Sequence, residues 1–171
     1  MVGLSGRGRG RLRFLADGML GKLTRWLRML GHDVEYLNDL DDDRLVEKAA
    51  VEERVLLTRD VRLFRKASVS GVEAFLVKGR TEVEKLAELA RSFGFSLEVD
   101  VENSRCPKCN AGIRSVSKEE VAGRIPESTG RFYEEFWICV ECGQVYWRGS
   151  HWERINRTLG QARQLAAAEK K

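Results

Sequence analysis

Residues 12–37 read LRFLADGMLGKLTRWLRMLGHDVEYL, and this stretch decides the fold class. Its first six residues, 12–17, and its last five, 33–37, are short apolar runs of the kind that form buried strands. Between them, residues 21–31 repeat apolar side chains at helical spacing and close on a glycine: Leu23, Trp26, Leu27, Leu30 and Gly31. The stretch therefore predicts a strand, a helix and a second strand, the unit from which parallel sheets are built.

The same alternation continues towards residue 100. We predict a helix over 42–53, strands over 54–58 and 72–77, and a helix that begins at a Thr81–Glu84 capping box and stops at Gly94. Strands that alternate with helices favour a parallel sheet covered on both faces. Residues 12–100 are therefore expected to form one α/β domain.

The composition and the hydrophobic pattern of the sequence change after Asp100. All four cysteines and several Trp and Tyr residues follow, without a clear helical period, so we expect a small second module over 101–152. The tail, 153–171, is predicted to be an exposed helix with Gly160 as a weak point. Residues 1–11 alternate Gly and Arg and are expected to be a flexible basic arm.

Composition excludes several classes of protein. Of the 171 residues, 43% are apolar and 33% charged, which excludes a disordered tail, a collagen-like fibre and a disulfide-dense mini-protein. No apolar run approaches the length of a membrane span and no secretory pattern is seen, so we expect a cytoplasmic protein. The net charge is +4, with basic ends around an acidic middle. That distribution suits a polyanionic partner; the alternative is that the basic ends are only solvated tails.

The cysteines form two Cys-x-x-Cys pairs, which is the spacing of a four-thiolate metal site: Cys106, Cys109, Cys139 and Cys142. Zinc is the expected ion, in a structural role, because four thiolates leave no open position for water. Asn110 and Gly143 follow the pairs and tolerate the left-handed backbone that such metal knuckles need. Two disulfides, a redox motif and an iron site are the alternatives.

Acidic residues follow the predicted strands. Asp17 ends the first strand and Asp60 follows the third, while Asn38 and Asp39 follow the second. Asp41, Asp42 and Asp43 open the next helix. Because the carboxyl ends of parallel strands share one edge, these carboxylates are expected to meet there and to share Mg²⁺ or Mn²⁺, which suits phosphodiester hydrolysis. The alternative is that these aspartates only form turns and cap helices.

Several separated motifs together resemble one known family. FLADGMLGKLTRWLRMLGHDVEY, LVEKAA, RVLLTRD, RCPKCN and CVECGQVYWRGSHW are similar, in order and spacing, to the Mut-seven C-terminal family of PIN-like ribonucleases with a C-terminal zinc ribbon. The resemblance implies a PIN-like α/β/α sandwich with a mainly parallel sheet, a small zinc ribbon, and metal-dependent cleavage of RNA.

The resemblance also implies roles for individual residues. Asp17, Asp42 and Asp60 correspond to catalytic metal ligands, although Asp41 or Asp43 is an alternative to Asp42. Thr58 is expected to orient Asp60 or a water, and the basic residues Lys22, Arg25 and Arg59 to meet the substrate. The alternatives are an ordinary solvated face for Lys22 and Arg25, and a simple salt bridge for Arg59.

His151 and the loop after the fourth predicted strand do not match the pattern of the family directly. His151 lies in RGSHW between basic and aromatic residues, so we name it as a candidate contact for RNA, with packing between the domains as the alternative. PIN nucleases often carry a fourth acid after the next strand, but FLVKGR at 75–80 has none, and Asp39 is the candidate substitute.

The leading hypothesis is therefore an RNA-cleaving enzyme with a catalytic Mg²⁺ or Mn²⁺ ion and a zinc ribbon that positions RNA or supports the domain. A non-catalytic RNA-binding or adaptor module is the main rival, and a phosphatase acting on small phosphate esters is a third.

Overall fold

The computed structural model describes residues 12–168, and its central element is a parallel four-stranded sheet. The strands are β1 (Arg13–Ala16), β2 (Asp33–Tyr36), β3 (Val55–Thr58) and β4 (Ala74–Leu76), in the order β2-β1-β3-β4. All three strand pairs are parallel. The predicted α/β class is therefore confirmed, and β1 lies between the two strands that follow it in the chain.

Helices cover both faces of this sheet, which makes the domain an α/β/α sandwich. The helices are α1 (Gly21–Met29), α2 (Asp42–Val51), α3 (Val61–Val69) and α4 (Glu82–Phe93). One apolar core packs α1 and α4 against Phe14, Ala16 and Leu57, and the other packs α2 and α3 against Leu15 and Leu56. Alternate residues of a strand point to opposite faces, so one short strand supplies both cores.

Helix α3 has no counterpart in the sequence-based prediction. Only Leu63 and Ala67 are buried along it, four residues apart, and the rest of the helix is mostly basic, polar or exposed. Two buried residues give too weak a period to predict a helix from sequence. Its N-terminus is fixed by Asp60, whose side chain accepts hydrogen bonds from two backbone N–H groups of the first turn.

The second module is an antiparallel three-stranded sheet with two short helices in the segment between its cysteine pairs. Its strands are β5 (Ile113–Val116), β6 (Phe136–Cys139) and β7 (Val145–Trp147), in chain order across the sheet. The helices α5 (Lys118–Val121) and α6 (Glu127–Phe132) were not expected from the sequence. A small core of Val116, Val121, Phe136 and Val145 holds this part together.

The C-terminal helix, α7 (His151–Ala168), returns to the first domain. The prediction of an exposed helix is wrong in this respect, because Leu159 and Ala162 are fully buried in the core that α1 and α4 share. Arg163 also donates a hydrogen bond to the carbonyl of Leu97, at 3.1 Å. The buried face of α7 consists of few residues on an otherwise polar helix, so the apolar pattern in the sequence was too weak to predict that this face is buried.

The predicted basic arm, 1–11, and the last three residues of the predicted tail lie outside the described residues. Within 12–168, none of the helices combines the length and the apolar composition that crossing a membrane requires.

Candidate functional site

The order of the strands creates a candidate site at the carboxyl edge of the sheet. The chain leaves β1 towards β2 on one side and later returns to β3 on the other, so the connections diverge around the end of β1. Ligands of open α/β sheets bind at such switch points. Asp17, the residue that follows β1, occupies this position, and Gly18 packs against Asn38 from the loop after β2.

The carboxylate of Asp17 is buried and accepts hydrogen bonds from two donors. Its side chain is at the N-terminus of a short 3-10 helix and accepts a bond from the backbone N–H of Met19, at 2.9 Å. The other oxygen accepts a bond from the hydroxyl of Thr58. The residue is only 6% exposed, which is unusual for an aspartate with no cationic partner among residues 12–168.

Thr58 connects Asp17 to Asp60. Its fully buried hydroxyl donates to Asp17 and accepts a bond from the backbone N–H of Asp60, at 2.9 Å. The Thr58 hydroxyl thus makes one hydrogen bond to the side chain of Asp17 and one to the backbone of Asp60. Asp60 caps α3 through one oxygen, which receives the N–H groups of Arg62 (2.6 Å) and Leu63 (3.4 Å).

Three aspartates begin α2 on the same edge, and they differ in their partners. Asp41 caps the helix by accepting the N–H of Arg44, at 3.0 Å. Asp43 forms an ion pair with Lys66 of α3, at 2.6 Å, and this hydrogen bond raises the pKa of Lys66. The exposed side chain of Asp42 has no hydrogen-bond or ion-pair partner among residues 12–168.

The acids at this edge fit a divalent cation in part. Carboxylate oxygens are the ligands that Mg²⁺ and Mn²⁺ prefer, and Thr58 holds Asp17 and Asp60 next to each other. In the part of the chain that the structure describes, however, the four cysteines form the one group of three or more potential ligands within reach of a single ion. Asp17, Asp42 and Asp60 therefore do not all converge as their side chains stand.

The basic candidates lie at different places. Lys22 and Arg25 are exposed on α1 and line a cleft together with Gly21 and Tyr36. Arg59 is half-buried between Thr58 and Asp60. His151 begins α7 and lines a separate pocket together with Met29, at the far end of α1, about 12 Å along the helix from Gly21. The structure does not bring His151 to the acids.

The loop after β4 contains no acid, but α4 provides two beneath it. Glu88 accepts the backbone N–H groups of Lys78 (3.1 Å) and Gly79 (3.0 Å), and Glu84 accepts those of Arg80 and Thr81. These carboxylates are occupied in fixing the loop. Asp39 is exposed in the loop after β2.

The four cysteines form a metal site of the predicted kind. Their sulfur atoms all lie within 4.8 Å of one another, with 3.7 Å between Cys106 and Cys142 and 3.3 Å between Cys109 and Cys139. A tetrahedral site with metal–sulfur distances of about 2.3 Å has edges of about 3.8 Å, whereas a disulfide would need about 2.0 Å. The cluster fits zinc or a similar ion, and the disulfide alternative is excluded. Asn110 and Gly143 adopt the expected left-handed backbone, with φ of 73° and 68°.

The surroundings of the sulfurs explain why a cation is needed there. Burial raises the pKa of the Cys139 thiol to about 12. Burial also acts to raise the pKa of Cys106, but hydrogen bonds, first from the Tyr146 hydroxyl at 3.0 Å, outweigh it and lower that pKa to about 7. With its pKa raised in this way, Cys139 becomes a thiolate only when a bound cation offsets the negative charge.

Arg28 anchors the metal site to the first domain, a role that the sequence analysis missed. This buried guanidinium donates to the carbonyl of Val34 in β2 and to the carbonyls of Pro107 and Lys108 in the first knuckle, at 2.8–3.1 Å. The available signal was an arginine on the apolar side of a helix, next to Leu27.

Asn110 makes a second link between the two parts. Its side chain accepts the N–H of Val34, at 3.0 Å, and donates to Asp33, at 2.7 Å. Burial acts to raise the pKa of Asp33, but hydrogen bonds from Arg54 and Asn110 outweigh it and lower the pKa to about 2. The knuckle is thus fastened to the edge strand of the sheet by a charged, hydrogen-bonded network.

The fold and the two sites define a class: an α/β/α domain with carboxylates at a switch point and a four-cysteine metal ribbon docked on its edge strand. The model of the Mut7-C RNAse domain matches residues 12–159, and the chain belongs to this family. The resemblance seen in the sequence is therefore confirmed, and the family implies RNA as the substrate class. Comparison with curated proteins gives no match, and comparison with solved structures gives none either.

Proposed function

We propose that this protein is a ribonuclease that hydrolyses RNA phosphodiester bonds at the carboxyl edge of its sheet with Mg²⁺ or Mn²⁺. The observation that carries the proposal is the linked arrangement of Asp17, Thr58 and Asp60 in a member of the Mut7-C RNAse domain family. A buried carboxylate at a switch point, held by a dedicated hydroxyl, is the kind of preorganised ligand that metal-dependent hydrolysis needs.

The residues have distinct roles in this proposal. Asp17 and Asp60 hold the cation, and Thr58 fixes the orientation of Asp17. A divalent cation held there offsets negative charge on the phosphate and supports attack by water. Lys22, Arg25 and Arg59 attract the RNA backbone electrostatically. The cation in the cysteine site is structural, because its four thiolates complete a tetrahedron.

Asp42 is the third acid of the proposal. Its carboxylate makes no hydrogen bond or ion pair within residues 12–168, whereas Asp41 caps α2 and Asp43 is paired with Lys66. The Asn variants of the three aspartates, compared in one cleavage assay, identify the acid: only Asp42→Asn is expected to lose activity. Loss in Asp41→Asn or Asp43→Asn instead would assign the role to that residue.

The test of the proposed function is a substrate panel. Zinc-loaded protein is incubated with Mn²⁺ and one of three substrates: a labelled single-stranded RNA, DNA of the same sequence, or a phosphomonoester. We expect Mn²⁺-dependent cleavage of RNA that Asp17→Asn abolishes and that Asp100→Asn, which alters a helix cap far from the edge, retains. Cleavage of the phosphomonoester alone would indicate a phosphatase instead.

A non-catalytic RNA-binding module is the second candidate function. It is favoured by one observation: the three proposed ligands do not gather around a common point among the described residues. This function predicts that RNA binds without added Mn²⁺, that no product forms, and that Asp17→Asn binds as tightly as the wild type.

A further inference from the structure

A cleft of about 760 Å³ runs between α1 and the metal ribbon. Lys22 and Arg25 line it on the side of α1, and Lys108, Gln144 and Tyr146 line it on the side of the ribbon. Tyr36, at the end of β2, forms part of its wall. The cleft therefore belongs to both parts of the protein, and neither part forms it alone.

The cleft is basic. Lys22 and Arg25 are exposed on one side and Lys108 on the other, and no acidic side chain is among the described residues that line it. The middle of the chain is rich in acidic residues, so the positive charge of this cleft differs from the charge of the rest of the protein. A positively charged groove with aromatic side chains is the common design for binding single-stranded nucleic acid.

One end of the cleft lies beside the segment that follows Asp17. Gly21, at the start of α1, lines the cleft, and the hydroxyl of Tyr36 donates to the carbonyl of Gly18, at 2.9 Å. Gly18 directly follows Asp17. An RNA strand whose phosphate lies at Asp17 can therefore continue into the cleft without crossing the protein.

We propose that this cleft binds the single strand of RNA that flanks the cleaved phosphate, and that Lys108 of the metal ribbon contacts its backbone. The inference rests on the proposed function, and it gives the ribbon a direct part in binding RNA. Lys22 and Arg25 contact phosphates from the opposite wall, and Tyr36 and Tyr146 offer aromatic rings on which bases stack. A volume of about 760 Å³ has room for a few nucleotides of one strand.

The metal site places Lys108 at the cleft. Lys108 lies between the ligands Cys106 and Cys109, and its carbonyl accepts a bond from Arg28, at 3.1 Å. Its exposed side chain is not used in folding the knuckle, so it can be removed without disturbing the cysteines. An ion held by the four cysteines would therefore affect RNA binding by fixing the backbone from which Lys108 extends.

The experiment measures binding of a fluorescein-labelled 12-nucleotide single-stranded RNA by anisotropy, as a function of salt, in the Asp17→Asn background. Lys108→Ala, Lys22→Ala and Arg25→Ala are compared with Arg157→Ala, which removes an exposed charge on α7 outside the cleft. Each cleft variant is expected to weaken binding by roughly threefold or more and to reduce the slope of log K on log salt by about 0.7. The control is expected to bind like its parent, and zinc content is measured for every variant.

The outcomes separate this inference from the proposed function. The proposal that the cleft binds RNA fails if Lys108→Ala keeps the wild-type affinity with zinc still bound, or if Arg157→Ala loses as much affinity as the cleft variants. Either result counts against the cleft even if the wild-type protein cleaves RNA. If the wild type fails to cleave but the three cleft variants still lose affinity, the proposed function fails and the cleft stands as an RNA-binding surface.

Discussion

The hydroxyl of Thr58 donates a hydrogen bond to the carboxylate of Asp17, across two neighbouring strands of the sheet. The same hydroxyl accepts the backbone N–H of Asp60. One fully buried oxygen atom thus relates the acid after β1 to the acid after β3. The register of two parallel strands is what makes the candidate site.

The first prediction concerns this hydroxyl. Thr58→Val keeps the shape of the side chain but leaves one oxygen of Asp17 and the N–H of Asp60 without their hydrogen bonds, while the other oxygen of Asp17 keeps the N–H of Met19. The free energy of unfolding should therefore fall by about 1–3 kcal/mol. Cleavage should fall about 10- to 100-fold, as for other groups that orient metal ligands. Thr58→Ser keeps the hydroxyl and should recover most of the activity. Equal activity in the Val and Ser variants would show that the hydroxyl has no part in catalysis.

The second prediction separates the two roles of Asp60. Asn caps helices about as well as Asp, so Asp60→Asn should leave stability within a few tenths of a kcal/mol of the wild type while reducing cleavage about 100-fold or more. Asp60→Ala should lose the same activity and also about 1 kcal/mol of stability, because α3 loses its cap. Chemical denaturation and single-turnover kinetics measure the two effects, and wild-type cleavage by Asp60→Asn would remove it from the site.

The third prediction is that metal removal loosens the edge strand of the sheet. The amide of Val34 is bonded to Asn110, which follows the ligand Cys109. Zinc removal should therefore accelerate hydrogen exchange at Val34, whereas the amide of Leu56, bonded to Glu73 inside the sheet, should exchange as before.

The variant Asn110→Gly tests whether the Asn110 side chain carries this effect of zinc on Val34. Asn110→Gly keeps the left-handed backbone but removes both side-chain links, so exchange at Val34 should rise with zinc still bound. An unchanged rate at Val34 in verified zinc-free protein would mean that the ribbon does not support the sheet.

The fourth prediction concerns acid stability. Although burial opposes it, hydrogen bonding to Arg54 and Asn110 lowers the pKa of Asp33 to about 2 in the folded state. Because the folded pKa lies below the unfolded value, about 2 kcal/mol of stability is present above about pH 4 and is lost as the pH falls towards 2. Urea unfolding at several pH values measures this slope. Asp33→Asn should have a smaller slope over that range, and an identical slope would contradict the assignment.

The sequence was sufficient for features that depend on local patterns. The parallel sheet followed from apolar runs alternating with a helical period, and α4 from its Thr81 capping box, which the structure contains, with Gly94 in the left-handed region after it. The cysteine site followed from spacing alone, because two residues between ligands fix a local turn.

Features that depend on contacts between residues far apart in the chain could not be predicted from the sequence. The buried side of α7 is created by α4, and the role of Arg28 by carbonyls about 80 residues away. Thr58 was expected to orient Asp60 or a water, and its hydroxyl does accept the N–H of Asp60. Its hydrogen bond to Asp17 was not predicted, because the register between β1 and β3 is set by the packing of the whole sheet. The metal role of Asp17, Asp42 and Asp60 stays a prediction.

Binding of Mn²⁺ to zinc-loaded protein, followed by electron paramagnetic resonance, tests the central claim most directly. With the cysteine site filled by zinc, we expect the wild type and Asp100→Asn to bind Mn²⁺ equally, and Asp17→Asn and Asp60→Asn to bind it at least about tenfold more weakly. Equal Mn²⁺ affinity in all four proteins would contradict a cation site at the carboxyl edge of the sheet.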